Sequence, residues 1–310
     1  MEPSIKKITS HNNDNKQKSA GSNVTQGEDM HSASQRTSKN NKINKTKKRL
    51  LKNNTSKSDT WYRKEDFWLS YTPYLFDEKR WAEAQEATKQ IVHFVEESGQ
   101  KHVDEQKLSI LDACCGPGRF SLEFARLGHR VTAVDIVQSF LDAIQDTAVT
   151  EQLPITTVCK DILALNAKNT FDIALNLYTS FGYFETKDDD FALLKIIQES
   201  LKPGGWFFLE LLSKEMCARY YSSGEWFEKE NALICTQFSV DDGWNYLRNR
   251  WIVCKDGHIT DNTWNLRLYA FTELKEMLLK AGFADIRSYG SYTFTPYNND
   301  AQTLLVVARK

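Results

Sequence analysis

The sequence predicts an α/β fold: a doubly wound, mostly parallel seven-stranded sheet, with an antiparallel β cap inserted after strand five and a disordered N-terminal tail. Three observations carry this. Between residues 108 and 211, short apolar runs alternate with amphipathic stretches, the rhythm of parallel strands joined by helices that cover both faces of a sheet. Between Ala232 and Phe271 successive β-rich runs are separated by Asp-Gly turns, the pattern of antiparallel hairpins. The first 60 residues contain no Phe, Trp or Tyr, although the chain has 37.

The tail also differs in charge. The 310-residue chain carries a formal net charge of −1, but residues 1–60 sum to +8 and the remainder to −9. A Lys-, Asn- and Ser-rich segment buries too little apolar surface to offset the entropy of ordering, so it is expected to be disordered. It serves either as a solubilising extension or as an electrostatic tether to RNA, DNA or an anionic surface. Without aromatics it has nothing on which bases could stack. The mean hydropathy is −0.53, no run approaches the ~18 apolar residues of a membrane span, and no apolar h-region follows the N-terminus. The six cysteines form no CxxC pair, so neither a disulfide framework nor a metal site is expected, and a reduced, cytoplasmic location is.

Order is expected from Trp61. Residues 61–76 are dense in aromatics and read as a strip packed on the core or as a lid. Asp77–Glu97 has the 3.6-residue periodicity of a helix. Strands follow at Leu108–Ala113, Arg130–Asp135, Ile155–Asp161, Phe171–Leu177 and Trp206–Leu211. Helices are expected at Arg119–Leu127, Ser139–Thr147 and Asp188–Leu201. The antiparallel part reads as three strands, Ala232–Val240, Tyr246–Lys255 and Asn265–Phe271. A helix over Thr272–Ala281, capped by Thr272 and closed by Gly282, precedes two last strands, Ala284–Tyr289 and Thr303–Ala308.

The first strand-to-helix turn reads Asp112-x-x-x-Gly116-Pro117-Gly118. In such sheets ligands bind beyond the carboxyl ends of the strands, and glycines let the backbone approach them closely. Asp135 ends the second strand, where a carboxylate accepts from both hydroxyls of a ribose. Together these point to an adenosine cofactor. A pyrophosphate-binding GxGxxG is not complete: Ser121 stands at its third glycine and Pro117 removes an N–H. S-adenosylmethionine has no phosphate and tolerates that loss. Asp161, at the end of strand three, either accepts from an adenine amino group or caps a turn.

These residues, with Phe171-Asp172-Ile173-Ala174-Leu175-Asn176 and Leu201-Lys202-Pro203-Gly204-Gly205, resemble the class I S-adenosylmethionine-dependent methyltransferases over about residues 77–310. The resemblance implies a Rossmann-like methyltransferase domain over 61–310, comprising an N-terminal segment (61–98) and a cap (about 213–271). It further implies that Asp112, Cys114, Gly116 and Gly118 surround the methionine end, Cys114 replacing the family's usual glycine. Asp135 takes the ribose, Ile136, Asp161 and Ile162 flank the adenine, and Asn176 lines the sulfonium side through its backbone. Leu177-Tyr178-Thr179-Ser180-Phe181-Gly182-Tyr183-Phe184 and the late meander resemble bacterial members that act on small molecules or peptides.

Methyl transfer asks the protein to align a nucleophile, exclude water and, for some acceptors, remove a proton. Tyr178 and Tyr183 are the catalytic candidates; Tyr71, Ser180, Arg250 and Trp251 are the candidates for acceptor contact. The cap aromatics are alternatively a dimer interface. The chain lacks an Asn/Asp-Pro-Pro-Tyr/Phe element and a Pro-Cys nucleophile after strand four, which argues against adenine-N6, glutamine and cytosine-C5 methylation. What remains is transfer to an amine or hydroxyl of a small molecule or peptide. The alternatives are an RNA- or ribosome-linked enzyme guided by the basic tail, or a non-catalytic cofactor-binding protein.

Overall fold

The computed structural model describes residues 60–98, 107–241 and 243–310; the expected disorder of residues 1–59 lies outside them. A short 3-10 turn (Trp61–Arg63) leads into helices α1 (Glu65–Leu75) and α2 (Glu78–Glu97). Then follow β1 (Ser109–Ala113), α3 (Arg119–Arg126), β2 (Arg130–Asp135), α4 (Gln138–Glu151), β3 (Ile155–Cys159), β4 (Phe171–Asn176), α5 (Lys187–Ser200) and β5 (Leu201–Leu211). Helix α6 (Lys214–Arg219) introduces β6 (Gly224–Lys229), β7 (Ala232–Val240), β8 (Tyr246–Lys255) and β9 (His258–Arg267). Helix α7 (Phe271–Ala281), β10 (Ala284–Tyr289) and β11 (Leu304–Arg309) end the chain.

The large sheet has the order β10-β11-β5-β4-β1-β2-β3. Strand β1 pairs in parallel with both β2 and β4, so the chain reverses its direction of travel across the sheet beside β1, where the ends of the strands leave a crevice. Strand β11 is antiparallel to its neighbours. Each central strand is buried on both faces. Leu111, Ala174, Phe207, Leu209 and Val306 pack toward α5 and α7. Their neighbours Ile110, Ile173, Leu175, Phe208 and Val307 pack toward α2 and α3. This is why the strands read as unbroken apolar runs.

The four strands β6-β7-β8-β9 form a separate antiparallel sheet, one strand more than the sequence suggested. Glu230 and Asn231, both with positive φ, make the tight turn between β6 and β7; neither residue is a glycine, and the turn was missed for that reason. The third expected strand is also displaced, to His258–Arg267. Asp256-Gly257 is itself the complete two-residue loop, so pairing resumes at once, with Lys255 opposite His258.

The aromatic segment is helical. Phe67, Tyr71 and Tyr74, spaced four and three apart, form the buried face of α1 and pack on Ala232, Ile234, Trp251 and Val253 of the small sheet. Pro73 stands near its end, and Lys229 Nζ donates to Tyr74 O (2.8 Å) and to Asp77 (2.7 Å), fastening the break between α1 and α2 to β6. Helix α7 starts one residue before the expectation. Thr272 is not its cap: the Glu273 carboxylate accepts from the Ala270 N–H at 2.9 Å.

Candidate active site at the ends of the parallel strands

The turn after β1 winds through left-handed backbone at Cys114 (φ 60°), Gly116 (54°) and Gly118 (82°). A Cβ at Gly118 would stand 2.4 Å from Ile144 Cγ1, so only glycine fits there. Cys114 holds a conformation that costs a side-chain-bearing residue roughly 1 kcal/mol. Asp135 fastens this loop. One carboxylate oxygen accepts from Gly116 N (2.8 Å), the other from Ile136 N (2.8 Å) and Val137 N (3.0 Å). Burial raises its pKa, opposed by the three N–H groups.

Asp112 is 3 % exposed and accepts from the Ser121 hydroxyl at 2.6 Å. Burial, with the nearby Asp135 charge, raises its pKa to about 6 against that hydrogen bond. Asn176 donates to Ala113 O at 2.9 Å, which ties the ends of β1 and β4 together. Its side-chain oxygen is buried without a partner among the described residues. Sequence reasoning had assigned this residue a backbone role only. A cradle of positive-φ glycines, an acid fastening it and an orphaned carbonyl oxygen together fit a ligand with hydroxyl and ammonium donors. Ile136 is half-buried at the rim, and Ile162 is in the core.

Residues 60–65 strap this crevice at three points. The Thr60 hydroxyl donates to Glu185 (3.1 Å), Arg63 donates to Asp161, and the Glu65 carboxylate accepts from Ser139 N (3.0 Å) at the start of α4. Asp161 also caps the turn Ile162–Ala164 through Leu163 N (3.0 Å), as the capping reading of its carboxylate expects.

Beyond β4 the backbone turns sharply, with positive φ at Tyr178 and Thr179. Tyr178 N–H donates to Glu210 (2.7 Å) and its hydroxyl donates to Leu75 O (2.9 Å). The guanidinium of Arg119 lies 4.2 Å from its ring centre. Arg119 is 4 % exposed, is flanked by Phe76 and Phe120, and donates to Arg80 O (2.7 Å); burial lowers its pKa. Arg63, Arg119 and Glu210 were missed. A basic residue opening a helix, against the helix dipole, was the available signal for Arg119. Ser180 is half-buried in the bend.

Tyr183 meets Trp61 edge-on (4.7 Å, 79°) and lies 6.2 Å from Trp68. Burial pushes its pKa well up, and the groups within electrostatic reach are Tyr178 and Cys114. Both of these also have raised pKa values, chiefly through burial.

Three acceptor candidates are placed elsewhere. Tyr71 is fully buried; its hydroxyl donates to Trp251 O (3.0 Å) and accepts from Asn262 (3.1 Å), so it joins α1 to the small sheet. Trp251 is 3 % exposed and packs edge-on against that tyrosine. Arg250, its neighbour, points to the opposite face because strand side chains alternate. There it makes a bidentate pair with Asp261 (2.9 and 2.6 Å).

A family model described as a methyltransferase domain matches residues 110–205. Cypemycin N-terminal methyltransferase from a Streptomyces species is 32% identical over 210 residues, which are 65% of this chain and 83% of that protein. YqeM of Bacillus subtilis (strain 168) is 25% identical over 211 residues, 66% of this chain and 85% of that protein. An S-adenosylmethionine-dependent methyltransferase structure from Clostridium acetobutylicum ATCC 824 superposes with a TM-score of 0.64 at 18% identity, covering 79% of this chain and 97% of the other. It shows that the fold is shared.

Proposed function

Since this chain belongs to the class I S-adenosylmethionine-dependent methyltransferases, we propose that it methylates an amine of a small molecule or peptide. Bound S-adenosylmethionine supplies a methyl group made electrophilic by its sulfonium. In this reading Asp135 holds the ribose, Asp112 and the Asn176 side-chain oxygen take the ammonium of the methionine end, and Asp161 with Ile136 and Ile162 borders the adenine. Trp61, Trp68 and Tyr183 exclude water and offer ring faces to a cationic or apolar acceptor.

What favours the amine over the hydroxyl is the 32% identical relative, which is named an N-terminal methyltransferase. Near Tyr183, burial raises the pKa values of Tyr178 and Cys114, so both are protonated at neutral pH. Neither takes a proton from a hydroxyl acceptor, whereas a neutral amine attacks with its own lone pair. Tyr183 orients the amine by accepting from one of its N–H groups through the hydroxyl oxygen, which leaves the lone pair free to face the methyl group.

The test is calorimetry with S-adenosylhomocysteine, followed by transfer of a tritiated methyl group to panels of amines, phenols and alcohols, short peptides, and RNA. Binding together with label in amines or peptides supports the reading. Label confined to phenols, alcohols or RNA overturns it.

A further inference from the structure

Among the described residues, strand β9 has a strand neighbour on one side only. At its C-terminal end the other side is engaged: Arg267 N–H donates to Gly182 O at 2.9 Å, one residue from Tyr183. Backbone groups of a strand alternate in direction with a period of two. The outward direction of Arg267 N–H therefore recurs at Asn265, Thr263, Asp261 and Ile259, all opposite β8 residues in the same register. The result is a free edge about seven residues long that runs straight into the segment carrying Tyr183. Beside it lies a groove of ≈ 550 Å³ between β9 and the start of α1, lined by Lys64, Glu65, Asp66, Phe67 and Ser70 on one side and by Thr260 and Asn262 on the other.

We infer that this edge is the docking site of a peptide acceptor, which adds as a strand antiparallel to β9 and presents its N-terminal amine beside Gly182 and Tyr183. The inference rests on the amine reading above and names its substrate class. An added strand takes affinity from main-chain hydrogen bonds and needs little side-chain specificity. Antiparallel addition directs its amino end toward Arg267, because β9 itself runs that way. At that end stands Glu185, whose backbone carbonyl accepts from Arg267 and whose carboxylate complements a terminal ammonium before it loses its proton; Lys64, Glu65 and Asp66 line the groove further along, beside Thr260 and Asn262. Successive peptide side chains alternate between the groove and the outer face. Edges of this length are usually blocked by a bulge, a proline or an inward charge; β9 pairs with β8 without a register shift over its whole length.

The probe is a pool of random heptapeptides with free N-termini, assayed with tritiated S-adenosylmethionine and the full chain. Label is expected at the terminal amine and at least tenfold less with the N-acetylated pool. Thr263→Pro removes one outward N–H at a solvent-facing edge position, where proline is tolerated. It is expected to lower kcat/KM for the pool at least tenfold while leaving melting temperature, S-adenosylhomocysteine affinity and methylation of small amines unchanged; Thr263→Ala is expected to stay within twofold. Equal turnover of peptides by Thr263→Pro and wild type overturns the inference. So does sedimentation showing that Thr263→Pro splits a dimer with peptide turnover untouched, since the edge then belongs to a second copy. If Thr263→Pro does not fold, backbone N-methylation is walked along one labelled peptide against the wild-type protein. Loss at every second position supports the added strand, and a uniform effect overturns it. Label in small amines but not in the pool sinks this inference and spares the proposed function; no cofactor binding and no label in any acceptor sinks both.

Discussion

Arg63 and Asp161, 98 residues apart in the chain, are joined by an ion pair that closes the strap over the end of β3. Both side chains are about a quarter exposed, so the pair contributes about 0.2–1 kcal/mol. Arg63→Ala is expected to shift the melting temperature by no more than about 3 °C. It should speed amide exchange at residues 61–65 and release S-adenosylhomocysteine up to about fivefold faster. Exchange mass spectrometry and stopped-flow fluorescence read these out; unchanged exchange at the strap would sink the latch.

Asp135 holds its own loop, and in the proposed reading it also takes the ribose. Asp135→Ala strands the N–H groups of Gly116, Ile136 and Val137 and is expected to lower stability by about 1–3 kcal/mol along with a loss of cofactor affinity of tenfold or more. Asp135→Asn keeps one acceptor oxygen and should lose affinity with a smaller drop in melting temperature. Equal affinity of a folded Asp135→Asn and wild type for S-adenosylhomocysteine would show that the ribose contact is misplaced.

The raised pKa of Asp112, about 6, sets two pH dependences of known sign. In the ligand-free protein the folded state holds this proton more tightly than the unfolded chain. The stability linked to Asp112 is therefore fully present below the ordinary carboxylate pKa and is lost as pH rises through about 6. Cofactor binding runs the other way: only the ionised carboxylate accepts from an ammonium, so affinity rises with pH up to about 6 and then levels. Calorimetry between pH 5 and 8 should show that rise in the wild type and a flat profile in Asp112→Asn.

Tyr183→Phe is expected to leave cofactor affinity unchanged and lower kcat about tenfold, the value of one hydrogen bond to the acceptor. Because burial raises the phenol pKa, the rate of the wild type should show no tyrosine ionisation up to pH 10. An unaltered kcat would remove the hydroxyl from the mechanism.

Adjacent residues of β8 separate structure from exposure. Trp251→Ala opens a cavity under α1 and should cost about 3–5 kcal/mol. Arg250→Ala removes only an exposed pair with Asp261 and should change neither melting temperature nor acceptor kinetics appreciably. Acceptor kinetics that respond to Arg250 alone would put the outer face of the small sheet in the reaction.

The parallel sheet was legible because its central strands β1, β4 and β5 are local apolar runs and the turns after β1 and β2 carry Gly116, Gly118 and Asp135. The small sheet was legible only where glycine marked a turn. Its first strand was hidden by the Glu230-Asn231 turn, and its last was shifted because one face of β9 is polar and exposed. Asp112 and Asp135 lie at the ends of β1 and β2, positions that local backbone pattern fixes. Tyr71 and Trp251 join α1 to the small sheet and Arg250 pairs with Asp261, since residue type does not say which face of an element a side chain takes. Arg63 and Arg119 act through partners distant in sequence, and no local pattern announces such contacts.

The layering of α1 on the small sheet also has a consequence for the order of assembly. The four strands pair only with sequence neighbours and can zip early once synthesised, yet the helix that covers them was made long before. Tyr71 waits 180 residues for Trp251 and 191 for Asn262. During synthesis Phe67, Tyr71 and Tyr74 are a sticky, uncovered stripe on the emerging chain, while the parallel strands between them are still being added. Closure of this long-range contact is therefore a late step in folding. A nascent chain stalled before residue 224 presents an aromatic surface for which chaperones and other unfinished chains compete.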